Sequence, residues 1–344
     1  MRILEGFQKG INLGGWLSQC VSYDREHFDT FITEKDIERI ASWGLDHVRL
    51  PIDYDVIEDE NGNDIEEGFA HIDKCVEWCK KYGLNIMLDV HKTFGYMFDT
   101  NEVSDPDRFF YDEELQNRFI DLWQKLATRY GKFQDMMAYE LLNEVVNPDV
   151  AEIWNGIAKR TIIEIRKIIP EAYIVVGGVC YNNVTAIPLL DPPYDDKIVY
   201  NFHCYDPVAF THQKAYWVEG MTDDFEVDYP GDLEELRAKS RTLPAAHAGA
   251  IYEDCLTCMG PGFFEMLFKP AVETAEKYNV PVYCGEYGVI DQAPLADSVR
   301  WMQDIHSVFE KCGIGRALWN YKNKDFGLVD EHYDEVRDEF IKLL

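Results

Sequence analysis

Met137-Ala138-Tyr139-Glu140-Leu141-Leu142-Asn143-Glu144 is an apolar run that ends in two polar side chains. Turn-like Gly131–Gln134 bounds it upstream and Asn147-Pro148 downstream, which frames it as a buried strand. Asn143 and Glu144 at the end of such a strand are costly unless they face a polar cleft. Val282-Tyr283-Cys284-Gly285-Glu286 repeats the arrangement far downstream, an apolar strand closed by a glutamate. If both strands belong to one parallel barrel, their C-terminal ends open onto the same mouth, where such barrels keep their chemistry. Two carboxylates facing each other across one mouth are what cleavage of a glycosidic bond requires.

Outward from that pair, strand-like and helix-like runs alternate along the whole chain, the mark of parallel βα units. The expected strands are Lys9–Trp16, His47–Asp53, Asn85–His91, Met137–Glu144, Tyr173–Cys180, Ile198–Tyr205, Pro281–Gly288 and Arg316–Lys322. Eight such strands predict an α/β fold, a (β/α)8 barrel forming a single catalytic domain over 1–344. Thr33-Glu34-Lys35-Asp36 reads as a capped helix start, with Gly44 as the stop. Phe69–Tyr82 puts Ile72, Cys75, Val76 and Cys79 on one face and ends at Gly83. Glu114–Tyr130, Val150–Ile168, Phe263–Tyr278, Ala296–Lys311 and Asp334–Leu344 complete the helical set. The connection over 206–262 is too long for a simple loop and contains a helical stretch, Asp232–Arg241. It is expected to be an inserted lid or small subdomain between the sixth and seventh strands.

Composition narrows the function. The chain has 344 residues, 33 basic and 63 acidic, for a formal net charge of -30. That balance argues against nucleic acid or an anionic membrane as partner and fits a neutral ligand. Nine cysteines form no disulfide framework, and Cys255-x-x-Cys258 lacks the partners of a zinc site, so neither metal nor cofactor is expected. The N-terminus shows no apolar leader, and the chain as it stands reads as a cytoplasmic monomer, or as a secreted one if a leader preceded Met1.

Polar groups gather where the strands end: Arg49, His91, Asn143 and Glu144, His203 and Tyr205, Glu286, and Trp319. With Gly10–Trp16 they form an ordered set rather than isolated occurrences. The set resembles the catalytic domain of glycoside hydrolase family 5, and within it the compact bacterial endoglucanase C branch. The likeness is carried by GINLGGW (10–16), HFDTFITEKDIE (27–38), DHVRLP (46–51), HIDKCVEWCKKY (71–82), LLNEVV (141–146), VYNFHCY (199–205), FTHQKA (210–215), VYCGEYGVI (282–290) and WNYK (319–322).

The resemblance implies a retaining endo-β-glucanase acting on β-1,4- or mixed-linkage β-1,3-1,4-glucan. Glu144 would be the general acid/base and Glu286 the nucleophile, with Arg49 favouring the ionised state of Glu286. Asn143 would meet the 2-hydroxyl, His91 and His203 would meet neighbouring hydroxyls or the catalytic carboxyls, Tyr205 would touch the nucleophile, and Trp319 would lie under the sugar. A retaining reaction needs the two carboxyls about 5–5.5 Å apart, an inverting one about 6.5–9.5 Å. Lys92 stands where the family often has a second histidine, which leaves fine specificity open. Glu140 reads as a supporting residue, and Trp16, Tyr96, Phe210 and Trp217 as either subsite or core aromatics. Rival readings are another family 5 activity (mannanase, xyloglucanase or exo-β-1,3-glucanase), a metal hydrolase using Asp89, His91 and His203, and a non-catalytic carbohydrate-binding barrel.

Overall fold

The computed structural model describes residues 1–99, 105, 107–244, 251 and 256–344. Eight parallel strands close on themselves in sequence order: β1 (Lys9–Asn12), β2 (His47–Asp53), β3 (Asn85–Lys92), β4 (Met137–Glu140), β5 (Tyr173–Gly177), β6 (Ile198–Cys204), β7 (Val282–Tyr287) and β8 (Gly315–Leu318). The expected barrel is therefore the observed one. Several strands stop earlier than their apolar runs suggest. Regular strand geometry in β4 ends at Glu140, in β1 at Asn12 and in β8 at Leu318, although Leu141, Leu142 and Trp16 beyond those ends remain buried. Hydrogen bonds to the neighbouring strands run on past those ends, Leu141 N–H donating to the Val175 carbonyl and Asn143 N–H to that of Val90, both at 3.0 Å.

The helices follow their sequence signals closely. Thr33 and Asp36 form a reciprocal cap, Thr33 N–H donating to Asp36 Oδ2 at 2.8 Å, and the helix Glu34–Ser42 buries Ile37 and Ile40. Helix Glu66–Tyr82 ends at Gly83, whose φ of 75° suits the left-handed stop. Helices Glu113–Tyr130, Ala151–Arg166, Pro261–Tyr278, Leu295–Cys312 and Arg337–Leu343 wrap the sheet in order. Between β5 and β6 the connection is a 3-10 segment, Val184–Leu189, instead of a long helix.

The stretch after β6 holds a short turn, Val208–Thr211, and a helix, Leu233–Ser240. It leans on the helix Leu295–Cys312, where Trp301 Nε1 donates to the Asp206 carbonyl at 3.0 Å and Tyr229 Oη to Asp304 Oδ2 at 2.9 Å.

Inside the barrel, side chains alternate in and out, so residues two apart stack as layers. The lowest layer is apolar: Met87, Ala138, Val175, Val199, Tyr283 and Ala317, plugged from below by Leu4 and Phe7. One step up the same strands stand Asp89, Glu140, Asn201 and Gly285, with Arg49 on β2 among them. The barrel thus changes from an oily floor to a charged ceiling within one repeat of the pleat.

Candidate active site

Arg49 is the hub of the charged layer. Its guanidinium is fully buried, and its donors are spread over six acceptors on five residues. Nε and Nη2 bind Glu140 at 2.7 and 2.9 Å, Nη1 binds Glu286 Oε1 at 2.7 Å, and Nη2 binds Asp89 Oδ2 at 2.9 Å. Asn12 Oδ1 at 3.0 Å and Asn143 Oδ1 at 2.9 Å complete the set. A guanidinium suits this position because its planar fork serves several carboxylates at once, which an ammonium cannot do in a fixed plane.

Glu286 points inward only because β7 is irregular. Strict alternation from inward-facing Tyr283 would turn Glu286 outward. The register instead jumps, pairing Phe202 with Cys284 and then His203 with Glu286, so that Gly285 is an extra residue. The displaced peptide stays hydrogen-bonded, because Gly285 N–H donates to Asn201 Oδ1 at 2.9 Å and its carbonyl accepts from Asn12 Nδ2 at 3.0 Å. A Cβ at 285 would stand 2.9 Å from both Asn201 Oδ1 and His203 Nε2, so glycine leaves room for the two side chains that frame the site.

Glu144 reaches the mouth by a different device. Its backbone φ of 26° is unusual for a residue with a side chain, a conformation that costs on the order of 1–3 kcal/mol and must be held from outside. Tyr96 holds it: its hydroxyl donates to the Glu144 carbonyl at 2.7 Å and accepts from Val146 N–H at 2.9 Å.

At the mouth, His203 Nδ1 lies 2.7 Å from Glu144 Oε1 and 3.7 Å from Glu286 Oε2. One ligand-type atom from each of Glu144, His203 and Glu286 falls within 4.8 Å of the others. Such a trio can grip a cation, but Glu286 is already held by Arg49 and by Tyr205, whose hydroxyl donates to Glu286 Oε2 at 2.9 Å. Asp89, His91 and His203, the alternative ligand set, form no such group among the described residues. Asp89 Oδ2 instead joins Arg49 to His91 Nδ1, the latter at 2.7 Å.

The two glutamates differ electrostatically. Burial, and then the nearby charge of Glu286, hold Glu144 well above the usual carboxylate range. Burial raises Glu286 as well, but the Arg49 charge and the Tyr205 hydrogen bond oppose it, so Glu286 is the one that ionises first. His91 is pushed down to about 4 by burial and is neutral at physiological pH, and burial likewise holds His203 well below the ordinary histidine range. Burial lifts Asp89 and Glu140 each to about 7 in spite of Arg49. The site can therefore present one protonated and one ionised carboxyl across a narrow gap.

Trp319 stands parallel to the His91 imidazole, centroids 5.9 Å apart and planes 7° off, and its edge fills the space where Gly14 lacks a side chain. A Cβ on Gly14 would lie 2.4 Å from the indole. Asn320 straps that loop down, accepting from Gly14 N–H and donating to the Gly14 carbonyl, both at 2.9 Å. Two polar atoms of the mouth, Asn143 Nδ2 and His203 Nε2, have no protein partner among the described residues.

All eight expected site residues thus converge: Arg49, His91, Asn143, Glu144, His203, Tyr205, Glu286 and Trp319. The structure places the residues whose roles the sequence left open. Trp16 is fully buried, stacked on Trp78 with its Nε1 donating to the Phe28 carbonyl, so it belongs to the core. Phe210 is core too, packed on Tyr229. Lys92 is paired with Asp55, 3.0 Å distant. Cys258 is exposed, and Cys255 lies outside the described residues. Residues the sequence reading missed are Asn12 and Asn201, which clamp Gly285, and Gln19, whose amide lies 3.0 Å from His91 Nε2. Asn12 carried a signal, a buried asparagine in the middle of an apolar strand; Gln19 lies in a loop and carried none.

The sequence profile of the family described as Cellulase (glycosyl hydrolase family 5) matches residues 8–325. Cellodextrinase A of Ruminococcus flavefaciens is 46% identical over 90% of this chain and 84% of its own length. Endoglucanase C of Acetivibrio thermocellus is 43% identical over 98% of both. Among solved structures, one titled as a glycoside hydrolase superposes with a TM-score of 0.79 at 23% identity, covering 98% of this chain and 99% of that one. Thermotoga maritima Cel5A, solved with cellobiose, gives 0.73 at 21%, covering 98% and 97%. At these identities the structural matches speak for the barrel alone. Among the described residues no helix is long and apolar enough to cross a membrane.

Proposed function

Because the chain belongs to glycosyl hydrolase family 5, and is a glycoside hydrolase, we propose that it hydrolyses internal bonds of β-1,4- or mixed-linkage β-glucan with retention of configuration. Glu286 is the nucleophile and Glu144 the acid/base in this reading. The observation that carries it is the pair of carboxyl oxygens within 4.8 Å across the mouth. Oxygens that close support direct attack on the anomeric carbon, the retaining arrangement.

In the first step Glu286 attacks the anomeric carbon while Glu144, kept protonated by burial, gives its proton to the departing oxygen. Tyr205 and Arg49 hold the two Glu286 oxygens, so that one is aimed as its charge is spent. In the second step Glu144, now a carboxylate, takes a proton from water, which displaces Glu286. His203, neutral and 2.7 Å from Glu144, steadies the carboxyl in both forms. The unpartnered Asn143 Nδ2 supplies a donor for the sugar 2-hydroxyl, and Arg49 fixes that amide's orientation through Oδ1.

The names of the two relatives, one an endoglucanase and one a cellodextrinase, support a glucan backbone and leave a second reading: short cello-oligosaccharides in place of polymer. Product analysis tests both. Carboxymethyl cellulose, mixed-linkage glucan, laminarin, galactomannan, xyloglucan and cello-oligosaccharides are incubated with the enzyme and with Glu286→Ala. Rapid viscosity loss on the glucans, reduced by about 10^4-fold or more in the variant, is the expected outcome. Turnover confined to cello-oligosaccharides favours the second reading, and turnover of mannan, xyloglucan or laminarin alone overturns both.

A further inference from the structure

Where β7 carries Glu286 it is out of step with both neighbouring strands. Against β6 the register passes from Phe202 with Cys284 to His203 with Glu286. Against β8 it passes from Cys284 with Arg316 to Tyr287 with Leu318, so Gly285 and Glu286 together face Ala317. A peptide that has left the regular ladder needs other bonds to fix its direction. Asn12 supplies one from the lumen, on the Gly285 carbonyl of the peptide that enters Glu286. Cys284 supplies another: its fully buried Sγ donates to the Glu286 carbonyl, on the peptide that leaves Glu286, at 3.3 Å. The same sulfur hydrogen-bonds with the backbone of Cys204, across on β6. Burial holds the thiol well above its ordinary range, so the proton stays on sulfur and the donor persists. Each peptide is planar, so pinning the planes on both sides of Glu286 fixes the direction in which its side chain leaves the strand.

We propose that Cys284 is a positioning residue for the nucleophile, its thiol fixing from behind the sheet the backbone direction from which Glu286 reaches the anomeric carbon. This rests on the reading of Glu286 as nucleophile. The carboxylate is then held at both ends, by Arg49 and Tyr205 at its oxygens and by Asn12 and Cys284 at its backbone. A buried thiol is ordinarily a small apolar filler, for which alanine or valine would serve with only a packing cost. Here it carries a polar task that neither can take over, whereas a serine hydroxyl can. The bond is a weak one, but attack on a carbon tolerates little error in aim.

The test follows formation of the glycosyl-enzyme with a 2-deoxy-2-fluoro-β-cellobioside bearing an activated leaving group, the label on Glu286 being counted by mass spectrometry. Cys284→Ala, Cys284→Ser and Cys204→Ala are compared, the last deleting an equally buried free thiol one strand away. In Cys284→Ala the maximal labelling rate is expected to fall about five- to tenfold, with the half-saturating concentration unchanged. Cys284→Ser restores most of the rate, and Cys204→Ala labels like wild type although its melting temperature drops as well. Should Cys284→Ala not fold, Cys284→Val against Cys284→Ser decides in the same way. Wild-type labelling in Cys284→Ala, or rates that follow melting temperature across all the variants, overturns the positioning role and leaves the nucleophile reading intact. A wild-type enzyme that takes no label on Glu286 overturns both, so the two failures are told apart.

Discussion

The lower and upper halves of the barrel interior are built by the same strands and differ by two residues of sequence. Met87 sits below Asp89, Ala138 below Glu140, Val199 below Asn201 and Tyr283 below Gly285. Below, apolar side chains fill the space, and the one polar pair is fully satisfied: His47 meets Tyr283 Oη at 2.7 Å and Asp46 at 2.6 Å. Above, one arginine serves Asp89, Glu140 and Glu286 while Glu144 adds a fourth carboxyl nearby. One positive charge cannot compensate four buried negatives in a low-dielectric space, so protons are retained. The floor is what holds the sheet closed; the ceiling is an electrostatic compromise that the floor makes tolerable.

The largest expected effect belongs to the ceiling. Glu144→Gln should lower turnover of oligosaccharides by about 10^2–10^4-fold, and far less for an aryl glycoside whose leaving group needs no proton. The pH profile carries the sign. Raising pH through the elevated pKa of Glu144 removes the acid form, so the wild-type rate falls on the alkaline side. With the activated substrate the Gln variant should lose that limb and keep the acid one, which follows protonation of Glu286. A variant that retains the alkaline limb would assign it to another group.

The floor answers differently. Phe7→Ala opens a cavity beneath the barrel and should cost about 3–5 kcal/mol of stability in denaturant titration. Below its new transition its kcat should stay within about twofold of wild type. A drop in kcat without a drop in stability would mean that the halves are more tightly coupled than their packing suggests.

The smallest effect lies at the seam between sheet and mouth. Tyr96→Phe removes the hydroxyl that holds the Glu144 backbone, leaving the ring in place. About 1 kcal/mol of stability and up to about tenfold in kcat are expected to go with it, with KM little changed. If KM moves and kcat does not, the tyrosine is a binding residue and its hold on Glu144 is incidental.

Much of this was legible in the sequence. Strand periodicity and helix caps located the barrel, and polar residues closing apolar runs located the mouth, because both signals are local and repeat. The strand ends were less legible. Leu141 and Leu142 stay buried beyond the regular end of β4, and hydropathy responds to burial, not to strand geometry. Gln19, and the role of Tyr96, were out of reach for another reason. They sit in loops, and only closure of the barrel brings them to Glu144 and His91. Trp16 was left between subsite and core, and an aromatic inside the motif that carried the family likeness proves to serve the core.

Gly285 shows how regularity and catalysis compete at a single position. Removing it would restore an unbroken ladder between β6 and β7, and by any measure of strand pairing the sheet would improve. Every residue after it would also change phase, and the carboxylate now aimed at the mouth would turn toward the helices outside. A procedure that redesigns this chain by rewarding ideal backbone would erase the defect first. It would deliver a sounder barrel with nothing to do.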